Sequence, residues 1–181
     1  KVKRMIDILF SIFFLLIFSP IFLITAMLLC FQGVRKVFFV QTRIGENGVA
    51  FQLFKFRTMN CDQDGENKVT RIGQWLRKYR IDELPQMFNV LKGDMSLVGP
   101  RPEIPFFAEE CRKWIPFYNV VFAAKPGLTG WAQVKFKYTT SEQDYERKFC
   151  YNVYYLKNIS AALDLIILLK TIRIILLGRG Q

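Results

Sequence analysis

Apolar and polar positions divide this chain unevenly. From Ile8 to Phe31 no charged residue occurs, a run long enough for a membrane helix. Ser19-Pro20 interrupts it near the middle. Pro20 has no N–H, and its ring meets the carbonyl four residues back, so a kink is expected there. The Ser19 hydroxyl can satisfy a carbonyl freed by the break. Each half is only about 16–18 Å long, against a hydrocarbon core of about 30 Å. Both flanks are basic, with Lys1, Lys3 and Arg4 before the run and Arg35 and Lys36 after it. Positive charge at both ends favours a bent, re-entrant segment with both ends on the cytoplasmic side. A proline-kinked ordinary span fits the same pattern. The chain thus divides into an anchor, residues 1–34, and one integrated unit, residues 35–181.

Beyond the anchor the pattern alternates. Val37 to Arg43 reads as a strand, Gly45 to Gly48 as a turn, and Phe51 to Arg57 as the return strand. Period-2 alternation puts Lys55 and Arg57 on one face and Phe54 and Phe56 on the other. Cys61 to Thr70 reads as polar loop, and Gly73 to Arg80 as helix. The Asp82-Glu83 pair opens a second helix that carries Lys92 in its last turn and stops at Gly93. Asp94 to Glu103 is loop, with Pro100 and Pro102 fixing the backbone around Arg101. Pro105 to Phe122 mixes aromatic with basic residues, which suits a membrane interface or base stacking. Lys125 to Trp131 is a turn-rich connector, and Ser141 to Tyr155 a helix. Ala161 to Leu177 is apolar but broken by Asp164, Lys170 and Arg173, as in a core or interfacial helix. The expected fold is α+β: a helix-break-helix anchor, a short β-hairpin, and a compact, mostly helical domain with interfacial helices.

Composition sharpens the chemistry. The chain has 181 residues and a net charge of +11, so anionic partners are expected: phospholipid, nucleic acid or a phosphorylated substrate. It contains no histidine, which excludes His-based acid–base catalysis and His-containing metal sites. The four cysteines are scattered without paired spacing, so no zinc knuckle or disulfide framework is expected. Any metal would be a hard ion on oxygen, such as Mg²⁺.

Candidate chemistry centres on Arg80-Ile81-Asp82-Glu83-Leu84-Pro85-Gln86, followed by Gly99-Pro100-Arg101-Pro102-Glu103. Helix capping alone would produce an acidic pair at a helix start. The surrounding cations add a second option. With a diphosphate held by basic groups, an Asp of ordinary pKa (about 3.9) is already ionised and can attack phosphorus directly. Mg²⁺ on Glu83 and the diphosphate would neutralise the repulsion. Lys55 and Arg57 can equally form a solvated face, and Arg101 can simply pair with a carboxylate.

Several of these segments together resemble the small monotopic phosphoglycosyl transferases, the bacterial sugar transferase family. They are Ser19-Pro20, Gln41-Thr42-Arg43-Ile44-Gly45, Lys55-Phe56-Arg57-Thr58-Met59, Asp82-Glu83-Leu84-Pro85-Gln86, Asn89 to Ser96, Gly99 to Glu103 and Pro126 to Val134, in that order. The final helix with Asp164 fits as well. One departure is Tyr151-Asn152, where the family often carries Tyr-Asp. The resemblance implies transfer of a sugar-1-phosphate from a UDP-sugar to polyprenyl phosphate, with release of UMP, at the start of bacterial glycan assembly. It implies Asp82 as the covalent nucleophile and Glu83 as the Mg²⁺ ligand. It makes Lys55, Arg57, Arg80 and Arg101 candidates for phosphate or carboxylate contacts, and it implies a re-entrant segment bent at Ser19-Pro20. The catalytic unit would lie on the cytoplasmic face of the bacterial inner membrane, against the phospholipid bilayer and without nucleic acid. A non-catalytic, membrane-anchored module for anionic lipid or nucleic acid would explain the charge but give the acidic pair no task. A phosphohydrolase would use water to resolve the same intermediate.

Overall fold

A computed structural model of the chain describes residues 2–32, 36–61, 67–136 and 141–178. Lys1, Arg35 and the junction between residues 34 and 35 lie outside them. The uncharged run forms two helices, α1 (Val2–Ile17) and α2 (Ser19–Phe31). They are bent by 59° at the break, and no single helix among the described residues is long and apolar enough to cross a membrane. The cause is local. Pro20 cannot donate to the Leu16 carbonyl four residues back, and the Ser19 hydroxyl takes that carbonyl instead, at 2.8 Å.

The charges at the start of α1 are consumed inside the fold. Lys3 donates to the Val98 carbonyl at 3.0 Å, to the Tyr155 hydroxyl at 2.9 Å and to Asp164 at 2.5 Å. Arg4 donates to the Val90 and Leu91 carbonyls. Buried Asp7 accepts from the Ser96 hydroxyl at 3.1 Å and the Leu97 N–H at 3.0 Å.

The hairpin forms with β1 (Phe38–Ile44) antiparallel to β2 (Ala50–Phe56), in the register Phe39↔Lys55. One face carries Phe38 and Phe56, which stack at 5.5 Å and meet Phe22 of α2, whose ring lies 5.1 Å from that of Phe56. The other face carries Phe39, Gln41, Arg43 and Lys55. A second hairpin, β3 (Met59–Cys61) with β4 (Asn67–Val69), replaces both ends of the polar loop expected over residues 61–70. Its pairing draws on backbone groups, which side-chain polarity does not report.

Helix α3 (Arg71–Lys78) is capped by the Thr70 hydroxyl on the Gly73 N–H at 2.9 Å. Gly73 is required there, since a Cβ would lie 2.1 Å from the Thr58 carbonyl oxygen. Helix α4 (Gln86–Lys92) ends at Gly93 with φ 100°, as its sequence predicts. Fully buried Asn89 plugs the free edge of β2: it accepts the Phe54 N–H at 3.1 Å and donates to the Gln52 carbonyl at 2.6 Å.

The expected loop over residues 94–103 and the connector over 125–131 each contain a strand. β5 (Ser96–Val98) pairs parallel with β6 (Gly127–Thr129). Glycines allow the approach: a Cβ on Gly127 would lie 2.0 Å from the Gly99 nitrogen. Helices α5 (Pro105–Trp114), α6 (Trp131–Lys135), α7 (Glu142–Lys157) and α8 (Ala161–Leu176) complete the fold. Phe51, Leu53, Met87, Val90, Met95, Leu97, Tyr155 and Ile167 form the largest core cluster. The outer side of α8 leaves Leu165, Leu169, Ile172 and Leu176 exposed, and Phe106 and Phe117 are exposed as well. Mostly helical with short two-stranded sheets, the fold is α+β.

Candidate active site

Arg80 has φ 54° and ψ 23°, the left-handed region, which a non-glycine residue enters at a cost of about 1–2 kcal/mol. This residue turns the chain out of α3 into a 3₁₀ turn, Ile81–Glu83. The acidic pair therefore sits in its own turn ahead of α4, not at the first positions of that helix. Neither carboxylate caps a helix, so the capping expectation fails. Their location is instead set by Asn89, which fixes α4 to β2 and brings the turn beside Lys55.

The two carboxylates are equally buried, each 8% exposed, yet their surroundings differ sharply. Glu83 is held by Arg80 at 3.1 Å, Arg101 at 3.4 Å and Lys55 at 3.5 Å. Burial alone would raise its pKa, but Arg101, Lys55 and Arg80 together pull it down to about 2. Asp82, among the described residues, has no hydrogen-bond or ion-pair partner. Its carboxyl is pushed up to about 6, first by burial and then by the Glu83 charge, with Lys55, Arg77 and Arg80 opposing. The sequence expectation of an ordinary Asp pKa is thereby corrected: desolvation outweighs the surplus of cations. Burial also lowers the Lys55 and Arg43 pKa values.

Both carboxylates line a cavity of about 410 Å³ whose walls carry Arg43, Lys55, Arg57, Arg77, Arg80 and Arg101. Of the residues singled out by sequence, Lys55, Arg80 and Arg101 converge on Glu83. Arg57 lines the same cavity without touching either carboxylate: its Nε donates to the Lys36 carbonyl at 3.0 Å, and its guanidinium lies 5.9 Å from the centre of the Phe39 ring. Ser19 and Pro20 are not among the lining residues. Sequence reading passed over Arg43 and Arg77. Arg43 had a signal, since it shares a strand face with Gln41 and Phe39, and Phe39 pairs with Lys55. It donates to Gln41 at 2.6 Å and to the Pro102 carbonyl at 3.1 Å, holding the loop that presents Arg101. Arg77, whose Nε donates to the Thr58 hydroxyl at 2.9 Å, carried none beyond its nearness to the acidic pair.

The donor set suits one kind of metal. Among the described residues no three His, Cys, Asp or Glu side chains cluster, so a closed protein cage does not form. Of the acidic pair, Glu83 is the carboxylate that would hold a hard ion such as Mg²⁺, which would keep waters and take its remaining ligands from a substrate phosphate.

The family model described as "Bacterial sugar transferase" matches residues 1–178. A UDP-N-acetylgalactosamine-undecaprenyl-phosphate N-acetylgalactosaminephosphotransferase of Aeromonas hydrophila is 45% identical, over 99% of this chain and 44% of its own length. The uncharacterized sugar transferase EpsL of Bacillus subtilis (strain 168) is 41% identical, over 98% of this chain and 89% of its own. A UDP-glucose:undecaprenyl-phosphate glucose-1-phosphate transferase of Caulobacter vibrioides is 42% identical, over 74% of this chain and 53% of its own. The chain thus spans about half the length of two of these three relatives. With its acidic pair set in a cationic cavity and a family match covering nearly every residue, this chain belongs to the bacterial sugar transferase family.

Proposed function

We propose that the protein transfers a sugar-1-phosphate from a UDP-sugar to polyprenyl phosphate through a phosphosugar bound covalently to Asp82. One observation carries this reading: of two adjacent, equally buried carboxylates, Glu83 is gripped by three cations while Asp82 has no partner among the described residues and faces the cavity. A carboxylate without hydrogen bonds or ion pairs keeps its lone pairs free for attack. The names of the relatives from Aeromonas hydrophila and Caulobacter vibrioides supply the substrate classes.

In the first half-reaction an Asp82 oxygen attacks the β-phosphorus, the bond to the bridging oxygen breaks, and UMP leaves with the electron pair. In the second, an oxygen of polyprenyl phosphate attacks the same phosphorus, and the Asp82 carboxylate is released. No net proton is gained or lost, which suits a site without histidine. Lys55, Arg80 and Arg101 compensate charge on the transferred phosphoryl oxygens. Arg57 contributes a further guanidinium to the same cavity. Glu83, together with the diphosphate, would hold Mg²⁺, which supplies charge neutralisation at the leaving phosphate. We place the α1–α2 pair as a re-entrant anchor in the bacterial inner membrane, with the catalytic unit on the cytoplasmic face and the apolar sides of α5 and α8 at the bilayer surface.

The test incubates the protein in nanodiscs with Mg²⁺, a panel of UDP-sugars and polyprenyl phosphate, and detects UMP. The expected result is lipid-dependent UMP release and an adduct mapped to Asp82 that Asp82→Asn abolishes. An adduct on another residue, or sugar phosphate released without lipid as the main product, would overturn the reading.

A further inference from the structure

Arg101 stands in a stretch with neither helix nor strand, between β5 and α5. Pro100 and Pro102 on either side of it lack an N–H, so this stretch cannot hold itself by pairing as a strand. Its carbonyls are taken by other elements instead. That of Pro100 accepts the Gly127 N–H at 2.8 Å, that of Pro102 accepts from Arg43 at 3.1 Å, and that of Glu103 accepts the Ile44 N–H at 2.9 Å.

Helix α7 supplies the remaining supports. Lys148 and Tyr155 are seven positions apart, two turns along one face, and Asn152 between them is buried. At one end of the Arg101 stretch the Tyr155 hydroxyl lies 3.2 Å from the Val98 carbonyl oxygen. At the other, Lys148 forms an ion pair with Glu103, their side chains only 16% and 12% exposed. Among the described residues Lys148 is the one ion-pair partner of Glu103. The other groups on which the Glu103 charge acts include Cys111, Tyr118 and Tyr145, all neutral. Neither Lys148 nor Glu103 lines the catalytic cavity.

Removing one member of a buried pair leaves an uncompensated charge. Here that charge has a second cation to turn to. Glu103 also acts on Arg43, raising a pKa that burial and Arg101 lower. Without Lys148 the Glu103 carboxylate is left with Arg43, the side chain that holds Pro102. Two supports then loosen together, and Arg101, which reaches Glu83 at 3.4 Å, loses its aim.

We propose that Lys148 is a positioning residue for phosphosugar transfer: through Glu103, α7 splints the stretch that carries Arg101 and sets the reach of Arg101 into the cavity. This rests on the reading that Arg101 compensates charge on the transferred phosphoryl group.

The experiment measures single-turnover formation of the Asp82 adduct in nanodiscs at saturating UDP-sugar, per folded site, with the folded fraction taken from thermal unfolding. Lys148→Met is expected to slow it roughly tenfold or more. Glu103→Gln is expected to slow it less, because its amide oxygen still accepts from Lys148, and Lys148→Arg is expected to keep most of the rate. In an Arg101→Ala background, already slow, neither Lys148→Met nor Glu103→Gln is expected to slow the step further. Amide exchange over residues 98–103 is expected to quicken in Lys148→Met and not in Lys148→Arg. A wild-type rate in the folded variants, or the same slowing with and without Arg101, would overturn the splint. If Lys148→Met does not fold, Glu103→Gln with Arg101→Ala completes the same cycle. Absence of a wild-type adduct would overturn the underlying reading, and with it the catalytic role of Lys148, whereas the exchange result still decides whether Lys148 holds the stretch.

Discussion

Asn89 stands in for a missing strand beside Phe54: its Oδ1 accepts the Phe54 N–H at 3.1 Å while its Nδ2 donates to the Gln52 carbonyl at 2.6 Å. Through this side chain α4 and the acidic turn keep their place beside Lys55. Asn89→Leu fills similar space but leaves two backbone groups of β2 without partners. Loss of both is expected to cost about 2–4 kcal/mol, seen as a fall in thermal unfolding temperature. Asn89→Asp keeps the acceptor but sets a buried oxygen against the Gln52 carbonyl and the Asp94 carboxylate, 3.3 Å from Nδ2 in the wild type, so it is expected to be at least as destabilising as Asn89→Leu near neutral pH.

The buried Asp82 carboxylate is expected to weaken the fold that holds it. Its folded pKa, about 6, lies above its value in an unfolded chain. The folded state therefore binds the proton more tightly. Stability from this group is fully present below about pH 4 and is lost as pH rises through 6. Asp82→Asn should accordingly be more stable than wild type at pH 8, by on the order of 2–3 kcal/mol, with the gap closing by pH 4. Unfolding curves at both pH values check this, and equal stabilities at pH 8 would contradict it.

Adduct formation needs ionised Asp82, so its rate is expected to fall as pH drops through about 6. Part of the elevation comes from the neighbouring Glu83 charge. Glu83→Gln removes that charge and frees Lys55, Arg80 and Arg101, so the acid limb should move to lower pH even as the maximum rate drops. Single-turnover rates between pH 4.5 and 8 give the two limbs directly.

The left-handed Arg80 separates backbone strain from side-chain function. Both Arg80→Gly and Arg80→Ala lose the 3.1 Å contact to Glu83, but only alanine keeps the penalty at φ 54°. Arg80→Gly is expected to be more stable than Arg80→Ala by about 1 kcal/mol. Both should slow adduct formation by at least about tenfold, because a charged partner of Glu83, and on the proposed mechanism of the phosphoryl oxygens, is gone.

Legibility in the sequence followed the range of the forces involved. Gly93 as the end of α4, Ser19-Pro20 as a break and the Phe39–Lys55 hairpin are local events, written in neighbouring residues. Strands β5 and β6 lie about thirty residues apart in the chain and pair through Gly99 and Gly127, so each half alone reads as loop. Of the four cations that sequence set beside the acidic pair, Lys55, Arg80 and Arg101 reach Glu83, whereas Arg57 lines the cavity without touching either carboxylate. What no local pattern could supply was the asymmetry between Asp82 and Glu83, because it depends on which carboxylate the three cations reach. Arg77 was missed for the same reason.

Lys3 meets Asp164 across 161 positions of sequence, and Asp7 meets Leu97 across 90. At ordinary elongation rates the first interval takes roughly 10–30 s of synthesis. During that time α1 has left the ribosome with its charged turn unsatisfied, and it gains its last partner only when α8 is made. The first turns of the bent anchor are therefore fastened by distant elements, α4, β5 and α8, rather than by its own residues.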